Sequence, residues 1–448
     1  MGYNFLKYLA GFIIAFYYRV NYRNIDKLPK GVAMIIVANH TNAFLDSLIL
    51  GGRVPRKMYS LPRGTIFFDQ SKFVLMIFRW ARMIPVFRQM EGDEYLKRNF
   101  ESFEFLKDAL GKKESLQIFP EAICIQERRL KPSKKGAAKI MLGAEKKFGY
   151  NLNIQVVFLG MNYKHAPSFD SSLFLNYSRP YVIRDFFKLY QENEGRGINE
   201  LTTFIDKMLK NQVIHIDDSS LDELVEQTEL VYKPHLFQQY SLDKRKSLHQ
   251  FIISREIAKA VNYFHKNQDE RLVSVKNKLR QYVKQLDELG IKDHWLINKV
   301  YPLSILTLLV CLTLTLPLHI YGLLTNLIPA GIPKYLANKM VKKDEFYSSA
   351  VVLTAMTTYL VMIPLYALVV SLIYKSLSMG ILFAASVILF GKFSTYYFSW
   401  QCTCMEMIDA LRVKVNEKGK LFGLLVLRAD IVDNLSELKV SFRERHKS

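Results

Sequence analysis

Asn39, His40 and Asp46 are the residues of this chain best suited to moving a proton. Asn39 and His40 follow directly on the apolar run Val32–Ala38, and five residues separate His40 from Asp46. That separation puts the two on no common helical face, so a turn between a strand and a helix must bring them together. A hydroxyl is a poor nucleophile at neutral pH, and an imidazole can take its proton as it attacks a reactive carbonyl. A carboxylate behind the imidazole fixes its tautomer and stabilises the imidazolium. Taken alone, a His and an Asp at a strand end more often cap or hydrogen-bond than catalyse.

Three further segments carry candidate chemistry. Arg82–Arg88 reads as a short strand ending in a basic residue. The planar fork of Arg88 can grip a phosphate, or simply join a surface ion pair. Leu116–Ala122 reads as a strand running into Phe119, Pro120 and Glu121, followed by the basic loop of Arg128, Arg129, Lys131, Lys134 and Lys135, with a helix opening at Gly136. Helix N-termini and clustered bases favour phosphate, and the same loop can face lipid headgroups. Val156–Tyr163 reads as a buried strand, most simply core, leading into a loop.

The elements that must position these residues alternate. Strands are predicted at Val32–Ala38, Met83–Phe87, Leu116–Phe119, Ile154–Leu159, Leu173–Tyr177 and Val213–Ile216, with helices at Lys72–Arg82, Tyr95–Leu110 and Gly136–Lys147. The pattern argues for an α/β domain with a mostly parallel sheet flanked by helices, its reactive groups on loops at one sheet edge.

Bulk composition narrows the class. Lys and Arg number 62 against 41 acidic residues, a formal charge of +21, and half the residues are hydrophobic. The excess implies an anionic partner, and the dispersed basic residues show no nucleic-acid signature, so a lipid surface is favoured. Four cysteines make neither a zinc pattern nor a disulfide framework, which fits a reducing compartment. The run Tyr8–Tyr18 is too short to span a bilayer and suits either an interfacial or a buried helix. Leu221–Lys299 is charged and helical. Tyr301–Pro333, Phe346–Tyr374 and Ser376–Gly391 carry no Asp, Glu, Lys or Arg, as membrane segments do. Keeping the four lysines of Lys334–Lys343 on the positive side makes Tyr301–Pro333 a re-entrant hairpin and the rest a second hairpin turning near Lys375, with three plain spans as the alternative. The expected division is 1–29 membrane-interface helix, 30–220 catalytic domain, 221–299 charged helices, 300–410 membrane hairpins and 411–448 basic cytoplasmic tail.

As an ordered set, the four segments resemble the lysophospholipid and glycerol-phosphate acyltransferase family. That family shows N-H-x4-D, a strand ending in Arg, F-P-E-G and a V-P-[VI]-like strand. Here the counterparts are Asn39-His40 to Asp46, Arg88, Phe119-Pro120-Glu121 and Val156–Leu159. The spacing of five, the Lys134-x-Gly136 helix start and the Asn162-Tyr163 pair are similar to one glycerol-phosphate acyltransferase branch. The resemblance implies His40 as base with Asp46 as its partner, and Arg88 on the acceptor's phosphate. It implies Asn39, Phe119, Pro120, Glu121, Lys134 and Gly136 around the substrate. Phe44 and Leu45 would line an acyl channel. It implies acyl-CoA or acyl-carrier protein as donor, no cofactor or metal, and glycerol 3-phosphate or lysophosphatidate as acceptor in phospholipid synthesis. The expected place is the cytoplasmic face of a membrane, such as a bacterial inner membrane. Ala122 stands where the family has Gly, Ile123-Cys124 where it has Thr-Arg, and Phe158 about where it has Pro. These departures keep a different lipid acceptor, or a non-catalytic lipid-binding protein, in view. Removing residues beyond about 300 is expected mainly to weaken membrane binding and stability.

Overall fold

The computed structural model describes residues 1–87 and 93–445 and divides into two compact units. The first comprises Met1–His215 with Val341–Val352, and the second Ile216–Met340 with Leu353–Ser448.

The first unit is built on a seven-stranded sheet: β1 (Tyr18–Arg23), β2 (Met34–Ala38), β3 (Met58–Ser60), β4 (Ser115–Ile118), β5 (Gln155–Tyr163), β6 (Ser171–Tyr177) and β7 (Tyr181–Val182). The order is β1-β6-β5-β2-β4-β3, with β7 also on β5. All pairings are parallel except those of β5 with β6 and β7. β2 lies between β4 and β5, and its five residues are all buried, as a strand covered on both faces must be. Its C-terminal end therefore opens where loops carry chemistry.

Helices cover this sheet and its ends: α1 (Gly2–Tyr17), α2 (Ala43–Arg53), α3 (Lys72–Trp80), α4 (Asp93–Gly111), α5 (Gly136–Lys147), α6 (Phe187–Glu192) and α7 (Glu194–Lys210). α1 buries Ala10, Ile14 and Tyr17 and exposes Phe5, Tyr8 and Phe12, an aromatic face at helical spacing. α1 and α2 cross at Gly11 and Gly52, where a Cβ on Gly52 would lie 2.7 Å from the Gly11 nitrogen. Only glycine permits so close a crossing, and it seats α2 firmly. The core joins Ile35, Val37, Leu116 and Val156 of the sheet to Leu106, Leu110, Ile140 and Met141 of α4 and α5.

Three local expectations change. Met83–Phe87 makes only isolated bridges, Met83 with Ser60 and Val86 with Arg63. Pro85 and Pro62 lack the N–H groups that a continuous ladder needs. Val213–Ile216 is not a strand, because side chains take its place in the ladder: the Asn162 and Asn176 amides donate to Gln212 O, and Ile214 N–H donates to Asn162 Oδ1. The segment 1–29 is a helix followed by the edge strand β1, paired in parallel with β6.

The second unit is helical. Helices Asp222–Gln239, Ser247–Lys266 and Glu270–Leu289 precede three helices long and apolar enough to cross a membrane: Pro302–Met340, Phe346–Tyr374 and Leu377–Asn416. The expected re-entrant hairpin over Tyr301–Pro333 is one continuous helix holding Pro317, Pro329 and Pro333. A proline removes one backbone bond and bends a helix without reversing it. The expected lysine loop shrinks to residues 341–343, whereas a turn at Lys375 is present. Residues 418–445 form a helix, Lys418–Arg445, that packs on Glu270–Leu289.

Candidate active site

β2 stops at Ala38 and α2 starts at Ala43, so Asn39–Asn42 form a tight turn at the sheet's edge. Ala43 takes a φ of +42°, a left-handed conformation that turns the chain sharply into the helix. Asp46, one turn into α2, is fully buried. Its Oδ2 accepts the backbone N–H groups of Thr41 and Asn42, both at 2.8 Å, and His40 Nδ1–H at 2.9 Å. Its Oδ1 accepts the Tyr163 hydroxyl at 2.6 Å. A carboxylate with this many donors is held in one rotamer. The turn thus closes the six-residue gap between His40 and Asp46.

His40 is fixed on its other sides by the loop after β4. Its ring stacks on Phe119 with centroids 4.2 Å apart. His40 N–H donates to Glu121 Oε1 at 2.9 Å, and its carbonyl accepts Ile125 N–H at 3.3 Å. Burial pulls the imidazole's pKa down, but the hydrogen bond and charge of Asp46 lead the effects that prevail and push it up to about 10.

Glu121 is a clamp. Its second oxygen accepts Lys131 N–H at 2.8 Å, tying the basic loop to the His40 turn. Burial pushes its pKa up to about 6 against the two backbone bonds. Glu145 repeats the device, taking Leu152 and Ile154 N–H on its two oxygens. Next to Glu121, Ala122 sits at φ +58°, a conformation glycine would adopt without strain.

The remaining candidates fall into two groups. Asn39 is buried and spends its amide on Met161, donating to the carbonyl at 3.2 Å and accepting the N–H at 2.7 Å, so it locks the end of β2 to β5. Pro120 is likewise buried, and its carbonyl accepts Lys134 N–H at 2.7 Å. Leu45 is core, whereas Phe44 is exposed beside the turn. The side chain of Lys134 is exposed, and Gly136 opens α5. Arg129 and Lys131 lean on Glu127, at 2.6 and 3.7 Å, which offsets part of the loop's charge. Arg88 lies outside the described residues.

Residue types and spacing did not single out several groups that complete the site. Asn42 is fully buried, and its Oδ1 accepts the Gln126 amide at 2.6 Å. The Tyr163 contact with Asp46 joins residues 117 apart in the chain. Ser349 lies further away still, and no local pattern could have signalled it. It belongs to the same unit and hydrogen-bonds to Asn42 and Leu45.

Comparison with known proteins finds an acyltransferase-family segment. Residues 19–161 match the family model described as Acyltransferase. The chain is 26% identical over 198 residues to glycerol-3-phosphate O-acyltransferase 2 of Saccharomyces cerevisiae, covering 44% of this chain and 25% of that protein. It is 27% identical over 182 residues to an uncharacterized acyltransferase of Schizosaccharomyces pombe, covering 40% and 26%. The aligned part is thus about a quarter of each relative's length. The crystal structure of the lysophosphatidate acyltransferase PlsC from Thermotoga maritima aligns over 47% of this chain and 78% of that one, with a TM-score of 0.34 and 14% identity.

Proposed function

We propose that this chain, which carries an acyltransferase-family domain at residues 19–161, transfers a fatty acyl group from a thioester to a hydroxyl of a phosphorylated lipid precursor. The observation that carries the reading is the buried Asp46 carboxylate on His40 Nδ1 at 2.9 Å, which leaves the other imidazole nitrogen for a proton from substrate. His40 removes the acceptor's hydroxyl proton as the oxygen attacks the thioester carbonyl carbon. The tetrahedral intermediate collapses, the carbon–sulfur bond breaks, and the departing thiolate takes the proton from the imidazolium. Asp46 steadies that imidazolium throughout. Glu121, Asn39 and Tyr163 hold the geometry.

The donor is acyl-CoA or acyl-carrier protein, and the acceptor is glycerol 3-phosphate or lysophosphatidate. Arg88 grips its phosphate by likeness to the family motif, and Lys134 and the basic loop add positive charge for an anionic acceptor. Apolar helices anchor the protein in a membrane, and the aromatic face of α1 lies in the interface. The excess of Lys and Arg draws the catalytic domain to an anionic cytoplasmic leaflet, at about 1 kcal/mol per basic residue near the surface.

The test is acyl transfer by the purified full chain in detergent, with labelled acyl-CoA and acyl-carrier protein, a panel of acceptors, and His40→Ala alongside. Transfer to glycerol 3-phosphate or lysophosphatidate that His40→Ala lowers by about 10²–10⁴-fold is expected. Transfer only to another hydroxyl or amine would keep the chemistry and change the acceptor. No transfer by folded wild-type protein, or equal transfer by the variant, would leave a lipid-binding protein.

A further inference from the structure

The helix Asp344–Tyr374 is one of the three apolar enough to span a membrane, yet its first turns, through Val352, belong to the unit that holds the His40 turn. Ser348 and Ser349 on those turns are both buried. The Ser349 hydroxyl donates to the Asn42 carbonyl at 2.6 Å and accepts Leu45 N–H at 3.0 Å. Leu45 N–H also donates to the Asn42 carbonyl at 3.0 Å, so the serine reinforces the bond that starts α2. Ser348 lies 3.4 Å from the Gln126 amide, which holds Asn42 Oδ1.

Asn42 is the hub of this arrangement. Its N–H is on Asp46 Oδ2, its amide donates to Thr41 Oγ1 at 3.0 Å, and its carbonyl is on Ser349. The residue after it is the strained Ala43. A turn with a left-handed alanine at its exit reaches one geometry only if its surroundings over-determine it. Ser349 supplies a donor and an acceptor at that point, from a helix some 300 residues away in sequence.

We propose that Ser349 is a positioning residue of the active site, through which the head of this apolar helix sets the Asn42–Asp46 turn and with it the His40–Asp46 pair. The proposal rests on the acyl-transfer reading for its activity readout and on the hydrogen bonds for its structural one. It follows that the catalytic unit is complete only with residues from beyond the first membrane-scale helix, Pro302–Met340. A serine in the first turns of a membrane helix thereby acts on the rate of a reaction and not only on anchoring.

The experiment compares full-length wild type, Ser349→Ala and Ser349→Thr in the same detergent, with Thr357→Ala as a control further along the same helix, where the threonine bonds only its own backbone. Ser349→Ala is expected to lower kcat by about 10-fold with the KM for acyl-CoA within twofold of wild type, as loss of alignment requires. Ser349→Thr, which keeps the hydroxyl, restores most of it. Hydrogen exchange over residues 42–46 is measured in parallel and is expected to quicken in Ser349→Ala and not in Thr357→Ala. A Ser349→Ala kcat within twofold of wild type, or unchanged exchange in that segment, would overturn the proposal. If wild-type protein transfers no acyl group, the reaction assignment fails, and the exchange arm alone decides whether Ser349 fixes the turn.

Discussion

Asp46 and Asp293 are two buried aspartates with nearly the same surroundings and opposite uses. Each takes a tyrosine hydroxyl at 2.6 Å, Tyr163 for Asp46 and Tyr282 for Asp293. Each faces a cationic or cation-forming partner, His40 Nδ1 at 2.9 Å in one case and Arg428 Nε at 2.7 Å in the other. Exposure does not separate them, since the His40 side chain is 16% exposed and that of Arg428 13%. What separates them is the proton. A guanidinium never releases one near neutral pH, so the Asp293 pair can only hold Glu270–Leu289, Asp293–Ile297 and Lys418–Arg445 together. An imidazole releases and recovers one, so the same carboxylate geometry becomes a catalytic device at Asp46.

The strongest test of this contrast is a matched pair of charge removals. Asp46→Asn is expected to cut kcat on the order of 100-fold or more, because the imidazolium loses its counter-charge. Asp293→Asn is expected to leave kcat per folded molecule unchanged while costing about 3–5 kcal/mol of stability, because the charge of the largely buried Arg428 is left uncompensated. Turnover and denaturation curves in one detergent read both effects. If folded Asp293→Asn protein lost turnover as Asp46→Asn does, the division of labour would be wrong.

The two pairs should also answer pH differently. His40 acts as a base only when neutral, and its folded pKa is raised above the ordinary 6.5. The acidic limb of kcat is therefore expected above pH 6.5, and Asp46→Asn should move it down. The stability contribution of a raised histidine is full below its unfolded pKa and is lost as pH climbs through the folded one. Wild type should thus lose stability between about pH 6.5 and 10, a loss that His40→Ala abolishes. Glu121, also raised, adds a smaller loss between about pH 4.5 and 6. A guanidinium carries its charge at any pH in this range, so an aspartate–arginine pair has no base whose protonation sets such a limb.

Much of this was legible in the residues. The gap from His40 to Asp46 demanded a strand-to-helix turn, and the helix opening at Gly136 and the strands around Val32–Ala38 and Leu116–Phe119 followed from local pattern. At Asn39, a polar residue beside the base, residue type alone did not signal the bonds of its amide to the Met161 backbone. Bonds between distant segments were invisible: β1 with β6, Tyr163 with Asp46, and Ser349 with the catalytic turn. Each depends on which residues the fold brings together, which no local period encodes. The Ser349 contact also revises the expected effect of removing residues beyond about 300, which should lower the catalytic rate as well as membrane binding.

The smallest expected effect concerns the backbone and again sets the two units side by side. Ala122 and Gly290 both take left-handed conformations, at φ +58° and +66°. Gly290 ends Glu270–Leu289, and a Cβ there would meet nothing within 4 Å, so Gly290→Ala adds conformational strain alone. An L-residue in that region costs about 1–2 kcal/mol, and glycine gives back about 0.5–1 kcal/mol through the entropy of the unfolded chain. Gly290→Ala should therefore destabilise by about 1 kcal/mol, and Ala122→Gly should stabilise by a similar amount. Because Glu121 already clamps the backbone on both sides through His40 and Lys131, Ala122→Gly should leave kcat within about twofold of wild type. A destabilised Ala122→Gly protein would mean that the alanine methyl contributes packing worth more than the strain it imposes. A large change in kcat would mean that this methyl touches substrate, and the alanine in the clamp loop would then be a determinant of which acceptor binds.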